Sequence, residues 1–519
     1  MARHFGLAPI AALCAIGFAS LDASAGVSQS GEQKDMLRVG HTDLQGRAAY
    51  QPNVIQYPDG RWIEFVGTLG GEAPNPLNGN VVEQSGTMII DVTNPAKPVE
   101  KFHLPGVDGG YQEQMARMCL GDVLPHGLPG HVYLMRNVQG SGDQAGYQVF
   151  DVTNVTAPVL VGAVTGLRST HKLYWECKTG IVYAPGSLGP SYGKPLWRTS
   201  QAMLIYDWSD PTKPRYLRTY GPPGAQPSGT GTPPNSLHGA ISAHEHPNAT
   251  GMLARGAGPG DVIGNRVYAA WGVGSDGIVQ SLDRNKLLPP PWGSFKGDPD
   301  NPSEADLLAA QAGQLYLEGD QGGHTSMPVF GVKPKSFSDY PTMNTRDIII
   351  STSEATADKC QETPHPAQIL DFTIESSGKS PPGWRVEKFK WQGPQSLSQL
   401  WVDPHRGEQF PRGDYCTRGA RFGSHASEEN FYNPYYGRLT FITYFTGGIR
   451  VWDIREPYAP VEVAYYVGEA DQYTTSEGYM TNNDEVDNRG YVYTVDRTGS
   501  GNDILELTGK AKRIGLGQD

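Results

Sequence analysis

Short runs of apolar or alternating positions dominate this chain, each closed by an aspartate and followed by a proline-bearing turn. The run Met88-Ile-Ile-Asp91-Val-Thr-Asn-Pro95-Ala-Lys-Pro98-Val sets the pattern. It returns as Tyr147-Gln-Val-Phe-Asp151-Val-Thr-Asn-Val-Thr-Ala-Pro158-Val and as Leu204-Ile-Tyr-Asp207-Trp-Ser-Asp-Pro211-Thr-Lys-Pro214. A fourth copy reads Ile449-Arg-Val-Trp-Asp453-Ile-Arg-Glu-Pro457-Tyr-Ala-Pro460-Val. Each copy predicts a strand, a tight turn and a second strand. The carboxylate caps the backbone of the turn, and the prolines set φ where the chain reverses. Val99 to Leu104 and Val159 to Val164 read as strands that follow such turns.

Degenerate copies occur at Val279-Gln-Ser-Leu-Asp283, Ile369-Leu-Asp371-Phe-Thr-Ile and Asp503-Ile-Leu-Glu506-Leu. The anchors thus stand at positions 91, 151, 207, 283, 371, 453 and 506. A four-stranded propeller blade takes roughly 40–50 residues, and the excess here falls in Gly/Pro-rich stretches. The prediction is an all-β, seven-bladed β-propeller with loop insertions. A β-sandwich would supply short strands but no recurring phrase. The Asp-Val-Thr-Asn-Pro-x-x-Pro-Val phrase is similar to the LVIVD repeat of exported bacterial and archaeal proteins. That resemblance implies the propeller fold and no particular activity.

Four stretches read as insertions: Pro222 to Pro234, Pro289 to Gly322, Lys379 to Arg385 and Trp401 to Arg412. The second contains a predicted helix, opened by Ser303-Glu-Ala-Asp306 at capping-box spacing and continuing from Leu307 to Leu317. Long loops on one propeller face commonly cover the mouth of the axial channel.

The first 25 residues read as a signal peptide. Arg3 and His4 precede an apolar run from Phe5 to Ala19, and Ala23-Ser24-Ala25 has the small-x-small pattern of a cleavage site. Residues 26–519 are then one propeller domain, periplasmic or secreted. No later stretch reaches the roughly 18 apolar residues of a membrane helix, so no integral membrane segment is expected. The chain carries 65 Gly, 41 Pro and 26 Tyr, a composition of strands and turns. Its net charge of −12, without a basic run, argues against nucleic acid as partner.

Four cysteines follow the leader: Cys119, Cys177, Cys360 and Cys416. An even number in an oxidising compartment implies two disulfides. Three pairings are open, and proximity favours Cys119 with Cys177 and Cys360 with Cys416. A thiolate metal site would require a CxxC spacing that the chain lacks.

Four histidines occupy one place in the repeat, at the start of the stretch that reads as each blade's innermost strand. They are His171, His238, His324 and His425. Innermost strands run side by side around the axis, so these imidazoles should converge at one end of the channel. Such a cluster would suit copper or iron, and less well zinc. Glu176, Glu245, Glu428 and Glu429 are candidates to orient the rings. His41 in blade one and Glu477 in blade seven would extend the ring. His244 and His246 form an alternative ligand pair on one face of a strand. Polar residues in these positions equally serve to bond neighbouring blades or channel water.

Two functions follow. One is a metal-dependent oxidoreductase acting on a small-molecule substrate. It has a fold-level analogy to the selenium-binding protein and methanethiol oxidase group and to carotenoid cleavage oxygenases, whose metal is held by axial histidines. The other is a non-catalytic propeller that binds a protein, glycan or small ligand through tyrosine-rich loops such as Phe431 to Tyr436. Asn482 to Asn488 has the composition of a calcium loop but not its spacing, and Asn488-Arg-Gly490 reads as a hairpin turn. No nucleophile elbow, phosphate loop or dinucleotide fingerprint occurs.

Overall fold

Seven antiparallel sheets stand around one axis, and a two-stranded hairpin, Glu72–Asn75 with Val81–Gln84, lies between the second and third strands of the first. In the computed structural model, residues 32–519 are described apart from 141, 232–234, 250–262, 274–275, 318, 338–344, 374–394 and 407–412. Residues 1–25, which read as a signal peptide, and the loop from Lys379 to Arg385 lie outside the described residues, as do parts of the loops 222–234 and 401–412.

Blade 1 runs outward from Ala49–Gln56 through Trp62–Thr68 and Thr87–Asp91 to Val99–Leu104. Blade 2 follows with Ala116–Leu120, Val132–Val138, Gly146–Asp151 and Val159–Val164. In blade 3 the inner position is the short pair Tyr174–Trp175, ahead of Ile181–Leu188, Ala202–Asp207 and Arg215–Tyr220. Blade 4 has Leu237–Ser242, Arg266–Trp271, Gly277–Asp283 and Gln311–Leu317. Blade 5 has Ser326–Val332, Arg346–Ser351, Ala367–Asp371 and Gln395–Leu400.

Blade 6 begins with an irregular inner stretch, 424–428, bridged to Leu439–Thr443 through Ser427 and Ile442. Ile449–Asp453, Val461–Val467 and the N-terminal Glu32–Lys34 complete it. Blade 7 takes three strands from the C-terminus, Thr481–Val486, Tyr491–Asp496 and Asn502–Leu507. Its fourth is Met36–Thr42, paired to Asn502–Leu507. The two chain ends therefore close the ring, leaving no inter-blade gap with open sheet edges.

Six of the seven predicted anchors hold; the seventh, Glu506, lies inside Asn502–Leu507 and pairs with Lys512. Asp91, Asp151, Asp207, Asp283, Asp371 and Asp453 each end the third strand of a blade. In five of these the carboxylate accepts the N–H two residues on, from Thr93, Thr153, Ser209, Thr373 or Arg455, at 2.9–3.1 Å. Asp283 instead caps the short helix Arg284–Leu287 through Lys286. The same six blades carry a register shift between the two residues just before the aspartate, for example Ile89/Ile90 and Val451/Trp452. A bulge at that place adds twist to the outer half of each blade.

One element differs from expectation. The capping box of Ser303 and Asp306 is present, but the helix spans only Glu304–Ala310. Gln311–Leu317 is the outer strand of blade 4, paired to Gly277–Asp283. Seven helical residues have little stability alone, and Gly313 weakens continuation, so the ladder to an edge that needs a partner wins. Both disulfides form in the favoured pairing, each with 5.4 Å between Cα atoms. Among the described residues no helix is long and apolar enough to cross a membrane.

Candidate metal centre

The starts of the innermost strands meet on the axis, and the four predicted histidines meet with them. They come from consecutive blades, 3 to 6, and each ring touches the next. Centroids lie 4.5 Å apart for His171 and His238, 3.6 Å for His238 and His324, and 4.3 Å for His324 and His425. His238, His324 and His425 are buried, and His171 is half-buried at the edge of the group.

Backbone carbonyls aim two of the rings. Nδ1 of His238 donates to the carbonyl of His324 at 3.1 Å, and Nδ1 of His425 donates to that of Asn482 at 2.9 Å. Each therefore keeps an Nε2 lone pair free, and the His425 Nε2 is buried without a hydrogen-bond partner. The acids Glu176, Glu245, Glu428 and Glu429 do not perform this orienting role. Glu176 is locked to Arg284 at 2.7 Å, and Glu245 accepts from the Lys178 N–H. Glu428 accepts from Asn430 and Asn433, while Glu429 pairs with Lys172 and Arg117. A carbonyl of the adjacent strand is always at hand between neighbouring blades, and it fixes a ring without the cost of burying a charge.

The carboxylate that does reach the group is Glu354, which follows the second strand of blade 5. Its oxygens lie 3.8 Å from His324 Nε2 and 3.7 Å from His425 Nε2. His238, His324 and Glu354 each offer a ligand atom within 4.8 Å of the others. Glu354 stands in Thr352-Ser-Glu-Ala, outside any inner strand, so position in the repeat could not reveal it. Arg421 binds it at 3.0 Å.

Tyr50 takes the place in blade 1 expected for His41. Its ring lies 5.5 Å from His171 and 5.7 Å from His425, and its hydroxyl is 3.4 Å from His324 Nε2. His41 sits instead on the outermost strand of blade 7, bound to Asp503 at 2.8 Å. Asn482 holds the blade 7 place; Glu477 is at the surface, paired with Lys359. His41 is off the axis because Met36–Thr42 belongs to the last blade, so that blade 1 begins at Ala49. His244 and His246 are likewise not on a strand. His244 is in the 3-10 turn Ala243–Glu245 and bonds the Gly264 carbonyl; His246 lies against Phe330, Phe431 and Tyr436.

Burial sets the charge state. Desolvation, aided by Lys172 and Arg497, lowers the His171 pKa to about 3. Burial likewise pushes His238, His324 and His425 well below the ordinary imidazole value. All four rings are neutral at neutral pH, the form that ligates metal. Burial raises Glu354 against the pull of Arg497 and Arg421.

Segments leading into inner strands, and those joining second to third strands, lie at this same end of the propeller. The Cys360–Cys416 disulfide ties the segment that follows Glu354 to the one that precedes His425. Their approach is close. A Cβ on Gly423, at φ 148°, would stand 2.7 Å from that of Ala355. Phe445 adopts φ 48° with its ring 4.6 Å from His425. An apolar residue in that region is strained and persists only where packing over-determines it.

No protein-family model and no curated protein sequence matches the chain. Among solved structures it is similar to Kuenenia stuttgartiensis hydrazine synthase, at 11% identity and TM-score 0.45, over 91% of this chain and 97% of that one. Sqt1 from Chaetomium thermophilum is similar at 11% and 0.43, over 92% and 100%. The C-terminal WD40 domain of Sif2 is similar at 9% and 0.40, over 85% and 99%. Nothing about the axial site follows from these likenesses.

Proposed function

We propose that the chain is a metal-dependent oxidoreductase whose centre is copper or iron, held by His238, His324, His425 and Glu354 with His171 at the open edge. One observation carries the reading: His238, His324 and Glu354 already place their ligand atoms within 4.8 Å of one another in a buried site. A copper or iron ion there would supply one-electron redox chemistry and an open position for a small substrate. The protein's own part is to keep the imidazoles neutral, to aim His238 and His425 through carbonyls, and to exclude water with the disulfide-tied loops. Tyr50 holds a hydroxyl proton beside His324, at the wall of the site. Zinc would suit the same donors but not a redox task. The two disulfides and the leader support a periplasmic or secreted setting. The LVIVD resemblance supports the same compartment.

The test is elemental analysis of protein purified without chelator, then reconstitution with copper, iron and zinc. About one copper or iron per chain, lost in His324→Ala with unchanged circular dichroism, is expected. Failure of the parent to retain any of the three metals overturns the reading. Retention of zinc alone removes the redox assignment.

A further inference from the structure

The channel has a second mouth at the opposite face, where the inner strands end. A cavity of about 300 Å³ opens there, its lining residues Asn53 and Tyr174 standing three residues along the chain from Tyr50 and His171. Aromatic rings wall it: Trp62, Tyr174, Trp175, Phe431 and Tyr432. Glu245, Glu429 and Glu485 line it as well, with Arg117 as the cation among its lining residues.

The charges do not balance. Glu429 is satisfied by Arg117 and Lys172 together, and Arg117 also lies over the Tyr174 ring at 5.5 Å. That leaves Glu485 and Glu245 without a cation within ion-pair distance among the described residues. Behind them stand Glu428 and Asp484, both buried. The Oε2 of Glu485, a residue 6% exposed, has no hydrogen-bond partner, and neither Asp484 oxygen has one. Burial raises Glu485 to about 8 against the pull of Arg117 and Lys172, and Glu245 to about 7 against that of Lys178 and Arg284, so a cation bound here would displace the proton that each otherwise holds. Buried, unpartnered carboxyl oxygens are costly unless something fills the role of counter-ion. Aromatic faces beside carboxylates are the surroundings in which a desolvated ammonium group is attracted most strongly.

The geometry points to this mouth as a binding site for a small organic ammonium ion, its charge against Glu485 and Glu245 and its alkyl or aryl body between the rings. Tyr432, 47% exposed, stands at the rim, with its hydroxyl held to the Glu245 carbonyl at 3.0 Å. Tyr174 and Trp175 are buried and form the floor. The site is independent of the metal centre and needs no metal.

Calorimetric titration of the full chain with choline and with phenethylamine tests this, each against its uncharged isostere, dimethylbutanol and phenylethanol. At least one amine should bind about tenfold or more tightly than its isostere, and more weakly as salt rises. Glu485→Gln should weaken that amine about tenfold. Tyr432→Ala, at an exposed position that leaves the fold intact, should weaken it several-fold. Equal binding of both amines and their isosteres, or amine binding unchanged in both variants, overturns the assignment. So does binding of neither amine by folded protein.

Discussion

The rings of His238 and His324 lie 3.6 Å apart, centroid to centroid, although 86 residues separate them in the chain. The link is direct, since Nδ1 of the first donates to the backbone carbonyl of the second. One innermost strand thus sets the ring of its neighbour, and the repeat places both at the same height on the axis. Five consequences can be measured.

Glu354→Gln should weaken metal retention about tenfold to a hundredfold, since it removes an anionic donor from a neutral imidazole set. Replacing His244 and His246 together by Ala should leave retention within about twofold, because neither touches the cluster. Competition with a chelator dye reads both. The reverse order would move the centre to the 3-10 turn.

Glu176 and Arg284 form a buried pair, with Tyr183, Thr179 and Ser242 completing the carboxylate's hydrogen bonds. Burial alone would raise Glu176, but Arg284 outweighs it and holds the pKa at about 2. A depressed carboxyl stabilises the fold above its unfolded value near 4.5 and loses that contribution as pH falls towards 2. Arg284→Met should therefore cost about 3–5 kcal/mol at pH 7 and distinctly less at pH 3. Urea titrations at the two pH values check it, and an equal loss at both would contradict the ion-pair account.

Glu64, Glu428 and Glu485 carry the opposite sign. Burial raises each to about 8. A raised carboxyl keeps its proton in the fold, so stability is greatest below about 4.5 and declines as pH climbs towards 8. The melting temperature of the ligand-free protein should be lower at pH 8 than at pH 5. Glu428→Gln should flatten that slope, by roughly 1–3 kcal/mol in free energy. A slope identical to the parent's would mean that Glu428 is solvated.

Ring closure depends on the strand Met36–Thr42. Deleting residues up to Thr42 removes the partner of Asn502–Leu507, and ending the chain at Asp471 removes three strands of blade 7. Both truncations leave inter-blade faces and sheet edges open. Neither fragment should unfold in one cooperative transition. A melt as sharp as the parent's would show that closure does not hold the blades together.

Thiol labelling of the denatured, unreduced protein should find Cys119, Cys177, Cys360 and Cys416 all blocked. Cys360→Ser with Cys416→Ser should cost about 2–5 kcal/mol. It should also loosen metal retention, because the bridge sits between the segments that carry Glu354 and His425. The Cys119–Cys177 bridge ties the inner strand of blade 2 to the turn after that of blade 3, and Cys119→Ser with Cys177→Ser should lower stability without that second effect. Equal metal loss in both would assign it to general destabilisation.

Much of the architecture was legible because its signals are local. An apolar run, an aspartate that accepts the N–H two residues on and a proline act within a dozen residues, so Asp91, Asp151 and Asp453 could be read as strand ends without knowing their neighbours. The four histidines were legible for a related reason: a repeat gives equivalent positions equivalent places. Where the repeat is silent, inference failed. Tyr50 and Asn482 fill the same ring as the histidines, but nothing in their side chains marks them as equivalent. His41 lies off the ring because Met36–Thr42 pairs with the last blade, an association across 465 residues, from Arg38 to Asp503, that no local pattern encodes.

The alternation, the turn chemistry and the count of anchors by themselves determined that this is a propeller, that its cysteines are even in number and that histidines recur at one end of the inner strands. Tertiary structure alone decided which groups share the axis. Glu354 arrives from a loop of blade 5, the carbonyls of His324 and Asn482 take the orienting role expected of acids, and Gln311–Leu317 is strand where its own cap promised helix. Each outcome turns on a partner distant in sequence. Hydrogen bonding and burial are settled by whichever group the closed ring brings within about 3 Å, and that choice is made only when all seven blades are in place.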